Sequence, residues 1–228
     1  MKLLRVEQIA DGTFAFHFER PEAFEFVAGQ FVEIALEELS PSDPFRSFSI
    51  ASAPCEPDII IATRVRDSSF KQALRSLTPG IDIQVEGPYG KFVLREGDGL
   101  PHVLIAGGIG ITPFRSMIVQ AAADGSRAPI LLFHANRDAA GAPFSAEMAS
   151  LGERESGFRF IPTLTRPSEG WTGEKGYVDV EMLARYVDIG SAMFHISGPP
   201  AMVQSTKEML AVAEVPADRI FAESFQGY

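Results

Sequence analysis

The pattern of hydrophobic residues changes near residue 98, and this change limits the possible folds more than any other feature of the chain. Before it, apolar and polar residues alternate, as from Phe14 to Phe18, which is typical of half-buried antiparallel strands. After it, short apolar runs such as Val103 to Ala106 alternate with helical segments, an order that produces parallel sheets. The sequence therefore predicts two domains, residues 1–98 and residues 99–228.

The first domain is predicted to contain six short strands and one helix. The strands are expected at residues 14–18, 32–36, 47–51, 59–65, 81–86 and 91–94. A helix from Ser69 to Leu77 interrupts them, and either Ser68 or Ser69 suits its N-cap because a hydroxyl accepts from the first backbone N–H groups. This order, with Gly and Pro between most strands, favours an antiparallel six-stranded β-barrel with one inserted helix.

The second domain is predicted to be a Rossmann-like parallel α/β domain. Apolar strands at Val103 to Ala106 and Ile130 to Phe133 flank a helix from Phe114 to Ala123, whose apolar residues share one face. Another helix with one apolar face runs from Met202 to Ala213. Domains of this kind bind ligands at the carboxyl ends of their strands.

The composition argues against several classes of protein. Lys and Arg number 20 against 30 Asp and Glu, and the formal charge of -10 disfavours binding to nucleic acid or anionic lipid. A single cysteine, Cys55, and four scattered histidines predict no metal site. No apolar run approaches the roughly 20 residues of a membrane span, and the N-terminus lacks the features of a signal peptide. We therefore expect a cytoplasmic protein.

A glycine-rich turn joins the first strand of the second domain to its helix. Gly107, Gly108 and Gly110 would let a phosphate approach the backbone without obstruction by Cβ atoms. Thr112 is predicted as the N-cap and Pro113 as the first helical residue, which directs free N–H groups towards the turn. The spacing is not G-x-G-x-x-G, so a tight turn without a ligand remains the alternative at this point.

Four motifs occur in an order that resembles the ferredoxin-NADP reductase family. They are Arg46-Ser47-Phe48-Ser49, Gly87-Pro88-Tyr89-Gly90-Lys91-Phe92, the glycine turn, and Ser197-Gly198-Pro199-Pro200-Ala201-Met202. The resemblance extends from Ala28 to Phe225 and includes Trp171-Thr172-Gly173. It implies that the first domain binds FAD and that the second binds NADP or NAD.

The resemblance assigns roles to the flavin-binding residues. Arg46 is expected to pair with the flavin pyrophosphate, which a guanidinium fork suits. Phe48, where many members have tyrosine, is expected to stack on the flavin ring, with Ser49 beside flavin N5. Ser68 and Ser69 stand where the inserted helix of relatives faces the pyrophosphate. The full predicted set is Arg46, Ser47, Phe48, Ser49, Ala62, Arg64, Ser68, Ser69, Gly87, Gly90 and Phe225.

The resemblance also assigns the nicotinamide-binding residues. Arg137 is positioned to hold a 2′-phosphate, although the choice between NADP and NAD stays open. Ser197 replaces a cysteine that is common in relatives. Glu223 is expected to orient the nicotinamide. Either Phe225 or Tyr228 is expected to supply the aromatic ring that covers the flavin. The predicted dinucleotide set is Gly107, Gly108, Gly110, Thr112, Pro113, Asn136, Arg137, Gly198, Pro199 and Met202, and the predicted catalytic residues are Ser49, Ser197, Glu223 and Phe225.

The function that the resemblance implies is a flavin-dependent NAD(P)H oxidoreductase. Hydride would pass from NAD(P)H to FAD, and electrons would leave to a ferredoxin, a flavodoxin or an oxygenase. One alternative is a free-flavin reductase that binds flavin as a substrate, which Phe48 and the absence of glycines near Ser68 favour. The other alternative is a non-catalytic electron-transfer subunit. Ser197 in place of cysteine favours it, whereas the presence of Ser49 and Glu223 argues against it.

Overall fold

The computed structural model describes residues 1–36, 44–95, 99–126 and 128–225. The amino-terminal elements are β1 (Leu3–Ala10), β2 (Thr13–Glu19), β3 (Phe31–Ala35), β4 (Phe45–Ser49), β5 (Asp58–Arg64), α1 (Ser69–Ser76) and β6 (Gln84–Tyr89). They are followed by β7 (His102–Gly107), α2 (Ile111–Ala123), β8 (Ile130–Asn136), α3 (Ser145–Arg154), β9 (Phe158–Leu164), β10 (Glu174–Lys175), α4 (Val180–Ala184), β11 (Met193–Gly198), α5 (Pro200–Val212) and β12 (Ile220–Ser224). Across the described ranges, no helix combines the length and apolar character needed to cross a bilayer.

The chain divides into two compact units. The first holds Met1–Val93 and Thr112–Ala123, and the second holds Leu94–Ile111 and Asp124–Gln226. Most of α2 therefore belongs to the first unit, although it follows the predicted boundary in sequence. The boundary itself, at residue 98, lies outside the described residues and stays a prediction.

The first unit contains six antiparallel strands in two three-stranded sheets. Their orders are β1-β2-β5 and β4-β3-β6. The predicted barrel is not confirmed, since no strand ladder joins these sheets in the described part of the chain. They are linked by the isolated bridges Lys2–Asp82 and Ile50–Ile61 and by a few backbone hydrogen bonds, such as the one from the Leu3 N–H to the Ile81 carbonyl. After Ile50 the backbone makes one more hydrogen bond, from the Ala51 N–H to the Ile60 carbonyl, and then turns away before a continuous ladder can form.

Alternating aromatic residues of β2 form the centre of this unit. Phe16 and Phe18 are buried together with Ile34 of β3 and Ile61 of β5. Complete burial of one such side chain contributes about 1.5–3 kcal/mol. The alternation read from the sequence therefore identified the face that enters this hydrophobic cluster. The expected half-burial of the strand was wrong, because Ala15 and His17 on the opposite face are buried as well.

The predicted strands of this unit differ from the structure in two places. One strand, β1, was missed, and one predicted strand does not exist. The structure has β1 at Leu3–Ala10, whose mostly exposed side chains carry only a weak alternating pattern. Residues 91–94, predicted as a strand, form no regular element. Phe92 there packs against Phe114 of α2, with ring centroids 5.7 Å apart, so this apolar run is used for packing rather than for strand pairing.

The inserted helix was predicted correctly. In α1, Phe70 and Leu74 are fully buried, one turn apart on the same face. Ser68 is the N-cap, and its Oγ accepts from the backbone N–H of Lys71 at 3.4 Å. Of the two candidate caps, only Ser68 precedes the first helical residue.

The second unit contains the predicted parallel sheet. Its order is β10-β9-β8-β7-β11-β12, and every neighbouring pair is parallel. Val103, Ile105, Phe133, Phe194 and Ile196 form the buried core on one face. This order places the carboxyl ends of β7, β8 and β11 side by side at one edge of the sheet.

The prediction for the start of α2 was wrong by two residues and in its cap. Gly108–Gly110 form a 3-10 helix, in which the Ile111 N–H donates to the Gly108 carbonyl, and α2 follows at Ile111. Thr112 therefore lies inside the helix rather than at its N-cap. Pro113 is tolerated because the N–H groups of a first turn have no intrahelical partner.

A buried ion pair ties α2 to the segment after β4. Arg115, only 6% exposed, donates to both carboxylate oxygens of Glu56 at 2.8 and 3.0 Å and to the Ala51 carbonyl at 2.8 Å. The carboxylate of Glu56 also accepts from the Ala53 N–H at 2.6 Å. Burial alone would raise the pKa of Glu56, but the hydrogen bond and charge of Arg115 bring that pKa below its ordinary value.

We predict that Arg115→Met lowers the free energy of unfolding by about 2–3 kcal/mol at pH 7, because it leaves a partly buried carboxylate without its partner. The lowered pKa of Glu56 stabilises the wild type above pH 4.5, and this contribution disappears as the pH falls further, so the difference should shrink in acid. Urea unfolding at pH 7 and pH 4 measures both effects. The control is Arg185→Met, which removes an exposed partner of Glu174 and should cost less than about 1 kcal/mol. Equal losses in the two variants would contradict the assignment.

Candidate functional site

Positive charges gather at the amino-terminal end of α1. Burial lowers the pKa of Lys71, and the positive charges of Arg66 and Arg46 lower that pKa further. The Arg46 guanidinium lies 5.6 Å from the centroid of the Phe70 ring and donates to the Phe45 carbonyl at 2.8 Å. Like charges held together beside a helix N-terminus form an environment that an anion would stabilise.

Phe48 and Ser49 are both buried at the end of β4. Phe48 is 7% exposed and packs on Phe70 of α1, with ring centroids 6.0 Å apart. This places Phe48 in the hydrophobic core, and its stacking on a flavin ring stays a prediction. Ser49 Oγ is buried and has no hydrogen-bond partner among the described residues. A buried hydroxyl of this kind is available to hydrogen-bond a ligand or a water.

Other residues predicted to bind flavin are spread along neighbouring strands. Ser47 is exposed and donates to a carboxylate oxygen of Glu33 at 3.2 Å. Ala62 is buried in β5, and Arg64 ends that strand with its Nε 3.4 Å from Thr13 Oγ1. Ser69 is exposed in the first turn of α1.

Gly87 in β6 and Gly90 just after it have a packing role. Both have positive φ, at 134° and 97°. A Cβ on Gly87 would lie 3.2 Å from the Phe31 carbonyl oxygen, and a Cβ on Gly90 would lie 3.0 Å from the Phe31 ring. The β3–β6 register is irregular at this point. These glycines therefore allow β6 to bend around Phe31.

The glycine turn after β7 packs closely against the end of β11 and the start of α5. A Cβ on Gly107 would collide with the sulfur of Met202 and lie 2.9 Å from Cδ of Pro199. A Cβ on Gly110 would collide with the Ser197 carbonyl. The two prolines predicted at the start of α5 are found there, Pro199 as the N-cap and Pro200 as the first helical residue.

Ser197 and Glu223 lie next to each other at this edge of the sheet. They are register partners on β11 and β12, so their side chains share one face. Ser197 Oγ and Glu223 Oε2 are buried and have no hydrogen-bond partner in the part of the chain that the structure describes. Burial raises the pKa of Glu223 to about 7, so near neutral pH this carboxyl can either donate or accept a hydrogen bond.

Phe225 lies two residues after Glu223. It is half-buried, and its backbone N–H donates to the carbonyl of Gly198 at 3.1 Å, which holds the chain end beside the start of α5. Tyr228, the rival aromatic, lies outside the described residues.

Arg137 has a second arginine beside it that the sequence analysis missed. Asn136 ends β8, Arg137 is exposed just after it, and the Arg166 N–H donates to the Arg137 carbonyl at 2.7 Å. Arg166 is also exposed and follows the end of β9. Its position after a strand of a predicted parallel sheet was the signal that would have found it.

These residues form two groups. Arg46, Phe48, Ser49 and Ser68 belong to the first unit, and Gly107, Arg137, Ser197 and Glu223 belong to the second. The first group offers positive charge and a buried hydroxyl, as FAD requires. The second offers a glycine turn, exposed arginines and two buried polar atoms that find no partner among the described residues, a combination that suits a phosphorylated ligand with polar groups. Among the described residues no cluster of three or more His, Cys, Asp or Glu could hold a metal ion.

Comparison with protein families assigns the same two ligands. Residues 1–94 match the model of the oxidoreductase FAD-binding domain, and residues 104–208 match the model of the oxidoreductase NAD-binding domain. The chain therefore carries an FAD-binding and an NAD-binding domain, as the sequence predicted.

Curated relatives cover most of the chain. The reductase component of propane 2-monooxygenase from Gordonia sp. (strain TY-5) is 31% identical over 90% of this chain and 60% of its own length. Ferredoxin–NADP reductase B from Sorangium cellulosum is 31% identical over 88% of this chain and 82% of its own length. The NAD(P)H-flavin reductase of Aliivibrio fischeri is 28% identical over 98% of this chain and 97% of its own length. The chain thus spans about 60% of the propane monooxygenase reductase that it matches.

Solved structures show the same architecture. A cytochrome P450 reductase from Amycolatopsis superposes with a TM-score of 0.86 at 27% identity, covering 98% of this chain and 68% of that one. A ferredoxin NADP+ reductase from Neisseria gonorrhoeae with bound FAD and NADP superposes with a TM-score of 0.82 at 25% identity, covering 98% and 96%. Together with the identity to the Sorangium reductase and the two matched domains, these likenesses show that the chain belongs to the ferredoxin-NADP reductase family.

Proposed function

We propose that this chain is a flavin-dependent NAD(P)H oxidoreductase that passes electrons from NAD(P)H through FAD to an acceptor. The observation that carries the proposal is the pair of buried polar atoms, Ser197 Oγ and Glu223 Oε2, at the carboxyl edge of the parallel sheet. Leaving such groups without partners costs roughly 1–3 kcal/mol each, which a bound ligand would recover. The amide of a nicotinamide offers both a donor and an acceptor to this pair.

When bound, the nicotinamide supplies a hydride and the flavin accepts it and releases electrons singly or in pairs. The protein's part is to bind and orient both groups. We propose that Arg46 donates charge-assisted hydrogen bonds to the flavin pyrophosphate, and that the N-terminus of α1, with Ser68 and Ser69, adds further donors. Ser49 Oγ is proposed to donate to flavin N5, and Phe48 to contact the flavin ring.

On the dinucleotide side, the glycine turn is proposed to receive the pyrophosphate. Ser197 and Glu223 would orient the nicotinamide, the Glu223 carboxyl donating when protonated and accepting when ionised. Phe225 is proposed to cover the flavin and to move when the nicotinamide arrives. Gly198, Pro199 and Met202 would support this arrangement by holding the start of α5 against the turn.

For the acceptor, we propose a separate electron-transfer protein or oxygenase. The reductase component of propane 2-monooxygenase and the ferredoxin–NADP reductase are named for such acceptors. We also propose that the protein acts in the cytoplasm, where NAD(P)H is available.

A free-flavin reductase is the second candidate, and two observations favour it. Phe48 packs in the core against Phe70 and carries no hydroxyl that could hold the flavin. The NAD(P)H-flavin reductase of Aliivibrio fischeri matches over nearly the full length of both chains. In that case flavin would enter and leave as a substrate.

We predict that the purified protein is yellow with noncovalent FAD, and that anaerobic NADPH or NADH bleaches its visible spectrum. Arg46→Ala should weaken FAD binding by about 1.5–3 kcal/mol, the scale of a hydrogen bond to a charged group. Arg75→Ala is the matched control, because Arg75 also packs over an aromatic ring, that of Phe14, but lies at the other end of α1. Unchanged FAD affinity in Arg46→Ala would show that Arg46 does not bind the flavin. A colourless protein that reduces added flavin would favour the free-flavin reductase.

We predict that Arg137 and Arg166 together select NADPH. Arg137→Ala and Arg166→Ala should each lower kcat/KM for NADPH by about tenfold, corresponding to one charge-assisted contact, and leave kcat/KM for NADH unchanged because NADH lacks the 2′-phosphate. Arg159→Ala is the control, since Arg159 lies on β9 with its guanidinium over Tyr186. Equal losses with both cofactors would show that the two arginines are structural.

We predict that Glu223 makes stability depend on pH. Because the pKa of Glu223 is raised from 4.5 to about 7, the folded protein keeps a proton that the unfolded chain releases. Its stabilising contribution is complete below pH 4.5 and is lost as the pH rises through 7. Between pH 4.5 and pH 8, the free energy of unfolding of the wild type should therefore fall by about 2–3 kcal/mol more than that of Glu223→Gln. Urea unfolding without nicotinamide measures this difference. Parallel pH curves for the two proteins would show that Glu223 is not held in a desolvated site.

A further inference from the structure

His134 is a buried histidine near the end of β8 that the proposed function does not use. It is 1% exposed, and its Nε2 lies 2.9 Å from the carbonyl oxygen of Gly108. A carbonyl oxygen only accepts, so Nε2 carries the proton and donates. Burial lowers the pKa of His134 to about 4, which keeps the ring neutral and in this one tautomer at physiological pH.

The carbonyl that His134 holds belongs to the glycine turn. Gly108 begins the 3-10 helix after β7 and has a positive φ of 53°. Its carbonyl also accepts the N–H of Ile111. A carbonyl oxygen has two lone pairs, so two donors from different parts of the chain fix the orientation of this peptide group.

The position of His134 in the sheet also connects it to the proposed NAD(P)H site. His134 is the register partner of Ala106, Ala106 is the partner of Ser197, and Ser197 is the partner of Glu223. Register partners in a parallel sheet project to the same face, so the imidazole lies on the face that carries the proposed nicotinamide pair.

A purely space-filling role does not account for a histidine here. His134 Nδ1 is buried without a hydrogen-bond partner among the residues described, which costs stability that an apolar side chain would not. Among the described residues, the side chain of His134 makes one hydrogen bond, to the Gly108 carbonyl. Glycine-rich backbone is intrinsically mobile, and fixing it before a ligand arrives removes part of the entropy cost of binding.

We propose that His134 is a positioning residue for the dinucleotide. By holding the Gly108 carbonyl it orients the glycine turn so that the turn receives the phosphates of NADPH. This inference rests on the proposed function, because it concerns the same NAD(P)H site.

The test compares His134→Leu, which removes the donor, with His134→Gln, whose side-chain amide keeps one. His134→Leu should bind NADPH about threefold to tenfold more weakly, the range expected for one hydrogen bond, and raise KM without lowering kcat at saturating NADPH. His134→Gln should recover part of the affinity. FAD content should equal that of wild type in both variants.

The matched control is His102→Leu. His102 is a buried histidine of the same sheet, and its Nδ1 lies 3.2 Å from Nε2 of His195. It is the first residue of β7, at the opposite end of that strand from the glycine turn. It should lose stability but keep the wild-type dissociation constant for NADPH. Equal NADPH affinity in His134→Leu and wild type would overturn the inference alone, whereas a wild type that binds no dinucleotide would overturn the proposed function and the inference together.

A measurement on the wild type does not depend on whether any variant folds. Long-range proton–nitrogen NMR of the imidazoles should show His134 protonated at Nε2, with a shift change when NADP+ binds. Protonation at Nδ1 instead would exclude the bond to Gly108 and overturn the inference.

Discussion

The close approach of the glycine turn to β11 and α5 is the constraint on which the dinucleotide half of the site depends. Gly107 and Gly110 have no room for a Cβ atom, because the Met202 sulfur and the Ser197 carbonyl occupy that space. A side chain at Gly110 would push away the strand end that carries Ser197, and one at Gly107 would displace Met202 and Pro199 at the start of α5. One packing requirement therefore keeps the turn, the start of α5 and the Ser197–Glu223 pair together.

Buried polar groups in this protein differ in whether the described residues satisfy their hydrogen bonds. Arg115 and Glu56 satisfy each other with two hydrogen bonds, and Arg115 donates to a backbone carbonyl as well. Ser197 and Glu223, in contrast, are buried with polar atoms that have no partner among the described residues. Such groups lower stability in the ligand-free protein, and they persist at sites where a ligand completes their hydrogen bonds.

Helix α1 links the core of the first unit to its candidate flavin site. Phe70 of α1 is fully buried and packs on Phe48, while the Arg46 guanidinium lies over its ring. A tyrosine in place of Phe48 would bring a hydroxyl that needs a partner when buried. The phenylalanine in this motif is therefore consistent with packing against α1. The same helix holds Lys71 close to two arginines and so concentrates positive charge in a chain whose formal charge is -10.

The sequence by itself determined the features that depend on neighbouring residues. The alternation from Phe14 to Phe18 located a core strand, Ser68 marked the start of α1, and the strand–helix order after residue 98 predicted the parallel sheet. The predicted position of the glycine turn was also right, although its helix begins with a 3-10 turn rather than at a Thr112 cap. Each of these features follows from backbone preference or from which face of an element is apolar, and both are local properties.

Only the tertiary structure decided which distant residues meet. β1 is a strand because β2 pairs with it, although its exposed side chains give little alternation, and residues 91–94 are not a strand because Phe92 packs on Phe114. The contact between Arg137 and Arg166 and the raised pKa of Glu223 likewise depend on strand order and burial. A hydrophobic pattern states that a face is buried but does not identify its partner, because the free energy of burial is non-directional. The partners are set by strand order and register, which involve residues far apart in the chain.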